Sequence, residues 1–308
     1  MSRYGFDLFR MYPFYKNLDD LVSKKLLRIK EYSNGYRVLK YTTKAFFNAE
    51  WDEVLVNCRG TVIDENNNIV LYPFTKTFNY GEKGINGIPT LINENNPVIA
   101  IEKINGFMAS FTKLPNGSFL YGSTGTLDSD YVMMAKETIE KQVKSKYLDD
   151  IPFGFTCIFE ICHKEDPHIV DEKEGAYLLG MRSNHLNSNL VSESVLDSMA
   201  KKAGFYRPTF KSYSSFSKAK EEAQKSNREG AMIRSAYEGN HLCKIKSKHY
   251  LTKKFLMRGK SQKIWNTNTI IDEDYKDIVE KIKKDYTEDN WSKLDELKKK
   301  EIFEYYVT

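Results

Sequence analysis

The chain has 308 residues, 41% of them hydrophobic and 29% charged, so it can bury one large core or two smaller ones and does not read as a disordered polymer. Its 47 basic and 42 acidic side chains leave a net charge of +5, which favours a polyanion only mildly and does not by itself mark a nucleic-acid binder. The aromatic share of 13% is high; packing accounts for most of these rings, and some offer flat faces on which bases stack.

Between Lys16 and Tyr32, apolar residues at Leu18, Leu21, Val22, Leu26, Leu27 and Ile29 recur at helical spacing, which predicts a first helix. After Asn34-Gly35, short β-rich runs follow at 36–41, 54–58, 68–72, 98–103, 107–112 and 118–121, and Pro115-Asn116-Gly117 predicts a hairpin between the last two. A helix is predicted over 129–148 with a capping Ser or Asp at its start. Strands resume at 155–161 and 176–181, a helix from 191 to 202 stops at Gly204, and strands at 231–234 and 241–245 close the β-rich body. Beyond Lys260 the segments 274–284 and 291–305 are charged, amphipathic and free of Gly and Pro, which predicts a small all-helical C-terminal domain. The expected division is therefore 1–258 and 259–308, the first unit being α+β.

Cys58, Cys157, Cys162 and Cys243 show no Cys-x-x-Cys spacing and sit in apolar stretches, so reduced core thiols are expected. A zinc set of Cys162, His163 and His168 lacks a fourth ligand at a sensible spacing. The segment Met1 to Phe6 has no apolar signal core and no run approaches a membrane span, so the expectation is a soluble cytoplasmic protein with no membrane and no obligate protein partner.

The chemistry gathers around Ile99-Ala100-Ile101-Glu102-Lys103-Ile104-Asn105-Gly106-Phe107, a lysine at the end of an apolar strand followed by a turn. Partial desolvation there frees an amine as a nucleophile. Lys-x-x-Gly alone is a weak signal, because Lys201-Lys202-Ala203-Gly204 repeats it where a helix C-terminus explains it fully. Context separates the two. Arg59, in Cys58-Arg59-Gly60-Thr61, is placed to grip phosphate oxygens, and Lys76-Thr77-Phe78 sets a cation beside a ring that fits base stacking and core packing equally well. Glu160 is a lone carboxylate in an apolar strand, which is costly without a ribose hydroxyl or a hydrated metal as partner. Lys244 and Lys246 lie two apart on a strand and so share a face, where they repel unless an anion sits between them. Taken singly each residue has an ordinary explanation: a surface lysine, half an ion pair, a satisfied edge carboxylate, a solvated strand face, or a turn at Glu229-Gly230. Five of them in this order make coincidence the weaker account.

Together these segments resemble the covalent nucleotidyltransferase superfamily of ligases and capping enzymes, and specifically the bacteriophage RNA ligase 1 family, over roughly residues 30 to 255. The resemblance implies a ligase adenylylation domain of antiparallel sheets with flanking helices, plus the helical C-terminal domain. It implies that Lys103 forms a lysyl-adenylate and that Gly106 lets the chain turn away from it. Tyr41, Arg59 and Lys76 would contact ATP, Glu160 the ribose or the metal shell, Glu229 the metal's water shell, and Lys244 with Lys246 the α-phosphate. The implied cofactors are ATP, as substrate, and Mg2+ or Mn2+; the implied partner is RNA with 5′-phosphate and 3′-hydroxyl ends, cleaved tRNA among the candidates. For a phage or large-virus source, repair of RNA cut by a defence nuclease in the host cytoplasm follows. Two departures stand out: Gly122-Ser123-Thr124-Gly125 lacks a lysine that relatives often carry there, and Asn105 replaces a common aspartate. A DNA ligase or GTP-using capping enzyme is disfavoured because the tail after Lys260 shows no strand pattern for an oligonucleotide-binding barrel. A non-catalytic RNA-end clamp would not need the lysine, the glutamate and the twin lysines together.

Overall fold

The computed structural model describes residues 18–144, 146–237, 239–265 and 273–307. The start of the first helix at Lys16 and the Met1 to Phe6 segment lie outside them.

The chain opens with α1 (Leu18–Ser23), β1 (Leu27–Glu31), β2 (Arg37–Tyr41), α2 (Thr43–Asn48), β3 (Arg59–Ile63) and β4 (Ile69–Leu71). The predicted helix through Tyr32 is corrected here. It stops at Ser23, Lys25 turns with φ 59°, and Leu27 to Glu31 pair with β2, because Leu27 and Ile29 also fit the two-residue period of a half-buried strand. The strand predicted over 54–58 is also corrected: Leu55–Asn57 is a 3-10 turn, held by Asp52 Oδ1, which accepts from the backbone N–H groups of Val54 and Leu55. Arg59 therefore begins a strand rather than ending one.

Next come β5 (Val98–Glu102), β6 (Phe107–Lys113), β7 (Phe119–Ser123), α3 (Asp130–Gln142), α4 (Lys146–Asp149), β8 (Phe155–Cys162) and β9 (Gly175–Ser183). The body closes with α5 (Glu193–Ala203), β10 (Phe210–Tyr213), α6 (Phe216–Lys225), β11 (Gly230–Ser235) and β12 (His241–Lys246). The tail is α7 (Lys248–Arg258), α8 (Ser261–Trp265), α9 (Glu273–Asp285), α10 (Glu288–Ser292) and α11 (Glu296–Val307). The hairpin at Pro115-Asn116-Gly117 joins β6 to β7, and Gly204 caps α5 in the left-handed region as its position requires. The helix predicted over 129–148 is broken: α3 ends at Gln142 and α4 is separate.

Three antiparallel sheets result, in the orders β1-β2-β3-β4, β10-β5-β11-β12 and β7-β6-β8-β9. Each packs one face on helices. Leu39 and Ile63 meet Leu18, Leu21 and Trp51; Ile233 and Ile245 meet Phe216 and Ala219 of α6; Phe111, Phe159 and Leu178 meet Ile139 of α3 and Leu196 of α5. Side chains alternate across a strand, so the opposite faces are free to line a common cleft. Among the described residues no helix is long and apolar enough to cross a membrane.

Candidate active site

A cleft of ≈ 1190 Å³ opens between the sheets, and Tyr41, Arg59, Lys76, Lys103, Gly106, Glu160, Glu229, Lys244 and Lys246 all line it. Residues spread over more than 200 positions converge because all but Lys76, on the loop after β4, sit at a strand end or on a cleft-facing strand position. Lys103 follows β5, and its backbone N–H donates to the carbonyl of Gly230, which sets it beside β11. Its Nζ lies 3.0 Å from Glu229 Oε2. The same carboxylate oxygen accepts from Asn105 Nδ2 at 2.6 Å, while Asn105 Oδ1 accepts from Val170 N–H at 3.0 Å. An amide is suited to that post, since an aspartate could not donate to Glu229.

Gly106 is fixed by space. A Cβ added there would stand 2.3 Å from the carbonyl oxygen of Ile161 on β8, and the Gly106 N–H donates to Glu160 Oε1 at 3.1 Å. The missing side chain thus lets the turn after Lys103 press against β8. Burial pushes the Glu160 carboxyl upward, opposed by the Lys103 ammonium and reinforced by Glu229.

On β12, Lys244 and Lys246 face the cleft while Ile245 between them is in the core. Lys246 Nζ reaches Glu229 Oε1 at 4.0 Å. Lys244 has no acid within ion-pair distance among the described residues. Burial, then the charges of Lys76, Arg59, Lys103 and Lys246, lower its pKa to about 7. Lys76 is buried and depressed chiefly by desolvation; Glu82, at 3.0 Å, opposes that. Its ammonium rests 4.1 Å from the centre of the Phe78 ring.

Phe78 is the one predicted site residue that does not reach the cleft wall. Its ring is buried among Trp51 and Leu55, edge-on to Trp51 at 5.5 Å, so it supports Lys76 from beneath rather than offering a face to a base. Phe46, 45% exposed on α2, and Tyr131, 44% exposed on α3, line the cleft together with Tyr41, Phe74 and Phe107. The sequence reading missed Phe46 and Tyr131, and it missed Arg28 and Lys40, which also face the cleft. Arg28 and Lys30, two apart on β1, are a visible signal, but the direction they face depends on which strands pair.

All four cysteines are buried and free, and Cys162 Sγ sits 3.9 Å from the Asn105 carbonyl. His168 pairs with Asp166 at 2.9 Å, and His163 Nε2 lies 4.0 Å from Glu174. Among the described residues no three His, Cys, Asp or Glu side chains form a ready metal cluster. Glu229 is taken up by Lys103 and Asn105, while Glu160 Oε2 has no protein donor among the described residues. That donor set suits a hard cation that keeps its waters and arrives on phosphate oxygens.

Two archaeal ATP-dependent RNA ligase structures superpose on the chain with TM-scores of 0.57 and 0.56, at 12% and 15% identity, covering 95% and 94% of this chain and 76% of each of theirs. A protein from Aquifex aeolicus, assigned provisionally as an ATP-dependent DNA ligase, matches at TM-score 0.55 and 16% identity over 95% of this chain and 78% of its own. The fold is thus that of the nucleotidyltransferase-type ligases, and at such identities the likeness speaks for the fold alone. No curated protein sequence matches the chain significantly. The model of the RNA ligase family, of the T4 RNA ligase 1 type, matches residues 57–265, more than half of the chain. The chain belongs to that RNA ligase family and is a ligase enzyme.

Proposed function

We propose that this RNA ligase uses ATP and seals RNA through a covalent intermediate on Lys103. Lys103 Nζ attacks the α-phosphorus of ATP; a phosphorus–nitrogen bond forms, the bond to the β-phosphate oxygen breaks, pyrophosphate leaves and the amine gives up a proton. A 5′-phosphate oxygen of RNA then displaces the lysine from the AMP phosphorus. In the last step a 3′-hydroxyl attacks the RNA 5′-phosphorus, losing its proton as AMP departs. These steps need charge neutralisation and alignment more than strong acid–base groups. Glu229 orients the Lys103 amine, Lys244 and Lys246 meet the α-phosphate, and Arg59 and Lys76 meet the outer phosphates. Tyr41 lines the nucleotide pocket, and Glu160 reaches the ribose or a hydrated ion. Mg2+ or Mn2+, held through water by Glu160 and Glu229, would screen phosphate charge when bound.

The observation that carries this reading is the Lys103 amine, 3.0 Å from a buried carboxylate and facing Arg59, Lys76, Lys244 and Lys246 across one cleft. Such a concentration of cations favours a polyanion among them. The archaeal neighbours' description as ATP-dependent supports ATP over GTP. The physiological strand is proposed to carry 5′-phosphate and 3′-hydroxyl ends, as in cleaved tRNA, with repair in the cytoplasm as the setting. Residues 1–258 would form the adenylylation unit and 259–308 the helical appendage.

With α-labelled ATP and magnesium, the expected result is protein-bound label that survives denaturation and disappears in Lys103→Ala. Label from GTP alone would assign a capping-type reaction instead, and no label from a preparation freed of bound AMP would assign an RNA-end clamp. Nicked duplex, single strands and cleaved tRNA hairpins, compared as substrates, rank the RNA.

A further inference from the structure

Arg28, Lys40 and Arg59 stand side by side across three adjacent strands. Arg28 of β1 is directly opposite Lys40 of β2, and Lys40 is opposite Arg59 of β3, so the three side chains leave the sheet on one face. All three line the cleft. Like charges in directly opposed cross-strand positions destabilise a sheet, and none of the three has an acidic partner among the described residues. Asp128, an acid that also lines the cleft, is already engaged by Lys30, Tyr32 and Thr126.

The ladder is built firmly. A bulge falls between Leu39 and Lys40 in the β2–β3 register, and Gly60 in β3 adopts φ +92°, with its absent Cβ leaving 2.6 Å to the Ser123 carbonyl. That close approach brings Gly125 under Lys40: a Cβ at 125 would meet Lys40 Cδ at 2.4 Å and Nζ at 2.9 Å. The Lys40 stem is thereby fixed against backbone rather than free to swing into water. Ser129, whose hydroxyl at the start of α3 has no hydrogen-bond partner, lines the same cleft. Burial, with Arg28 and Arg59 adding to it, lowers the Lys40 pKa, as expected of a cation awaiting an anion.

Resting on the proposed ATP-dependent reaction, we infer that Arg28 and Lys40 extend the phosphate wall beyond Arg59 and hold the β- and γ-phosphates of the nucleotide, and hence the pyrophosphate leaving group. The direction follows from the order of the charges. The fields of Lys103, Lys76 and Arg59 all act on Lys244, that of Arg59 acts on Lys76, and those of Arg59 and Arg28 act on Lys40. The cations thus form one unbroken series leading away from the amine that would carry AMP, and a triphosphate is an anion that follows such a series. The basic side chain on this wall comes from β2, beside the 122–125 segment that lacks one.

The test separates the triphosphate from the RNA. Self-adenylylation is measured against ATP concentration for the wild type, Lys40→Gln, Arg28→Gln and Lys40→Arg, together with pyrophosphate-driven release of AMP from the isolated adenylylated enzyme and sealing of a pre-adenylylated RNA. Lys40→Gln is expected to raise the half-saturating ATP and pyrophosphate concentrations roughly tenfold, the size of one charge-assisted contact, with a smaller rise in Arg28→Gln and recovery in Lys40→Arg. Sealing of the pre-adenylylated strand, which brings no triphosphate, is the comparison, and the loss is expected to be confined to the ATP and pyrophosphate reactions. Unchanged ATP dependence in Lys40→Gln overturns the inference, and so does a parallel loss with pre-adenylylated RNA, which would assign the ladder to the strand. A melting temperature for Lys40→Gln at or above that of the wild type, expected from relief of like-charge repulsion, excludes misfolding as the cause. If the wild type itself takes no label from ATP, the underlying reaction fails rather than the ladder.

Discussion

Lys244 illustrates what burial in a cleft full of cations does to one lysine. Its amine, buried beside Lys76, Arg59, Lys103 and Lys246, has a pKa lowered to about 7 from 10.5, so at pH 8 the free enzyme holds it largely neutral. On the proposed function a bound polyphosphate would restore the ammonium, and binding would therefore take up a proton. Calorimetry of pyrophosphate binding at pH 8 in buffers of different ionisation enthalpy should register an uptake that shrinks at pH 6 and is reduced in Lys244→Met. The stability of the free enzyme follows the same linkage. Between pH 7 and 10.5 the unfolded chain binds this proton and the folded one does not, so raising the pH across that window stabilises the fold on this account. Denaturant midpoints without ligand that stay flat across that window in wild type and Lys244→Met alike would contradict the shift. Asn105 makes a related point, since its amide joins Glu229 to the Val170 backbone and so holds the carboxylate beside the lysine two residues away without itself lining the cleft.

Elements were legible in the sequence where local pattern and tertiary environment agree. β8 and β12 carry Glu160, Lys244 and Lys246, and β5 ends just before Lys103, close to where the apolar runs place them. Leu26 to Ile29 satisfied both a helical and a strand period, and only pairing with β2 decides between them. Arg59 could be singled out by type but not by direction, because the 3-10 turn before it is fixed by Asp52 rather than by an apolar pattern. For Phe78 the sequence left stacking and core packing equally open, because an aromatic beside a lysine reads the same whether its ring faces the cleft or lies beneath the amine. Gly106 carries the sharpest prediction at this scale. Gly106→Ala must move the Ile161 carbonyl or the turn after Lys103, so a loss of about 1–3 kcal/mol in denaturant unfolding and a larger loss of lysine labelling are expected. A second concerns Glu193 on α5, which is buried between Arg207 and Arg234 of β11. Glu193→Ala leaves the buried Arg234 guanidinium without its acid and should cost about 3–5 kcal/mol, read by denaturant titration. Lysine labelling at low temperature should persist, because neither arginine lines the cleft.

At the scale of the whole molecule the question is whether the C-terminal helices are an appendage or part of the body. Leu256 of α7 is fully buried in the same core as Ile264, Val279, Ile282, Trp291, Ile302 and Phe303, while Tyr250 and Met257 on the same helix pack on Ile169 and Val170. α7 therefore joins the tail to the segment whose Val170 N–H fixes Asn105. Polar contacts at the junction are weaker in kind. Lys300 of α11 meets Asp171, whose side chain is 77% exposed, and an ion pair open to solvent on one side contributes little. Lys300→Ala should then cost less than about 1 kcal/mol, whereas Phe303→Ala, which empties a fully buried aromatic site, should cost about 3–5 kcal/mol. Because α7 is shared, Phe303→Ala is expected to shift one cooperative transition, with far-UV signal and retention of lysine labelling falling together as denaturant rises. Two separated transitions, the tail melting first while labelling survives, would show instead that the helices fold as a detachable unit and that the body ends before them.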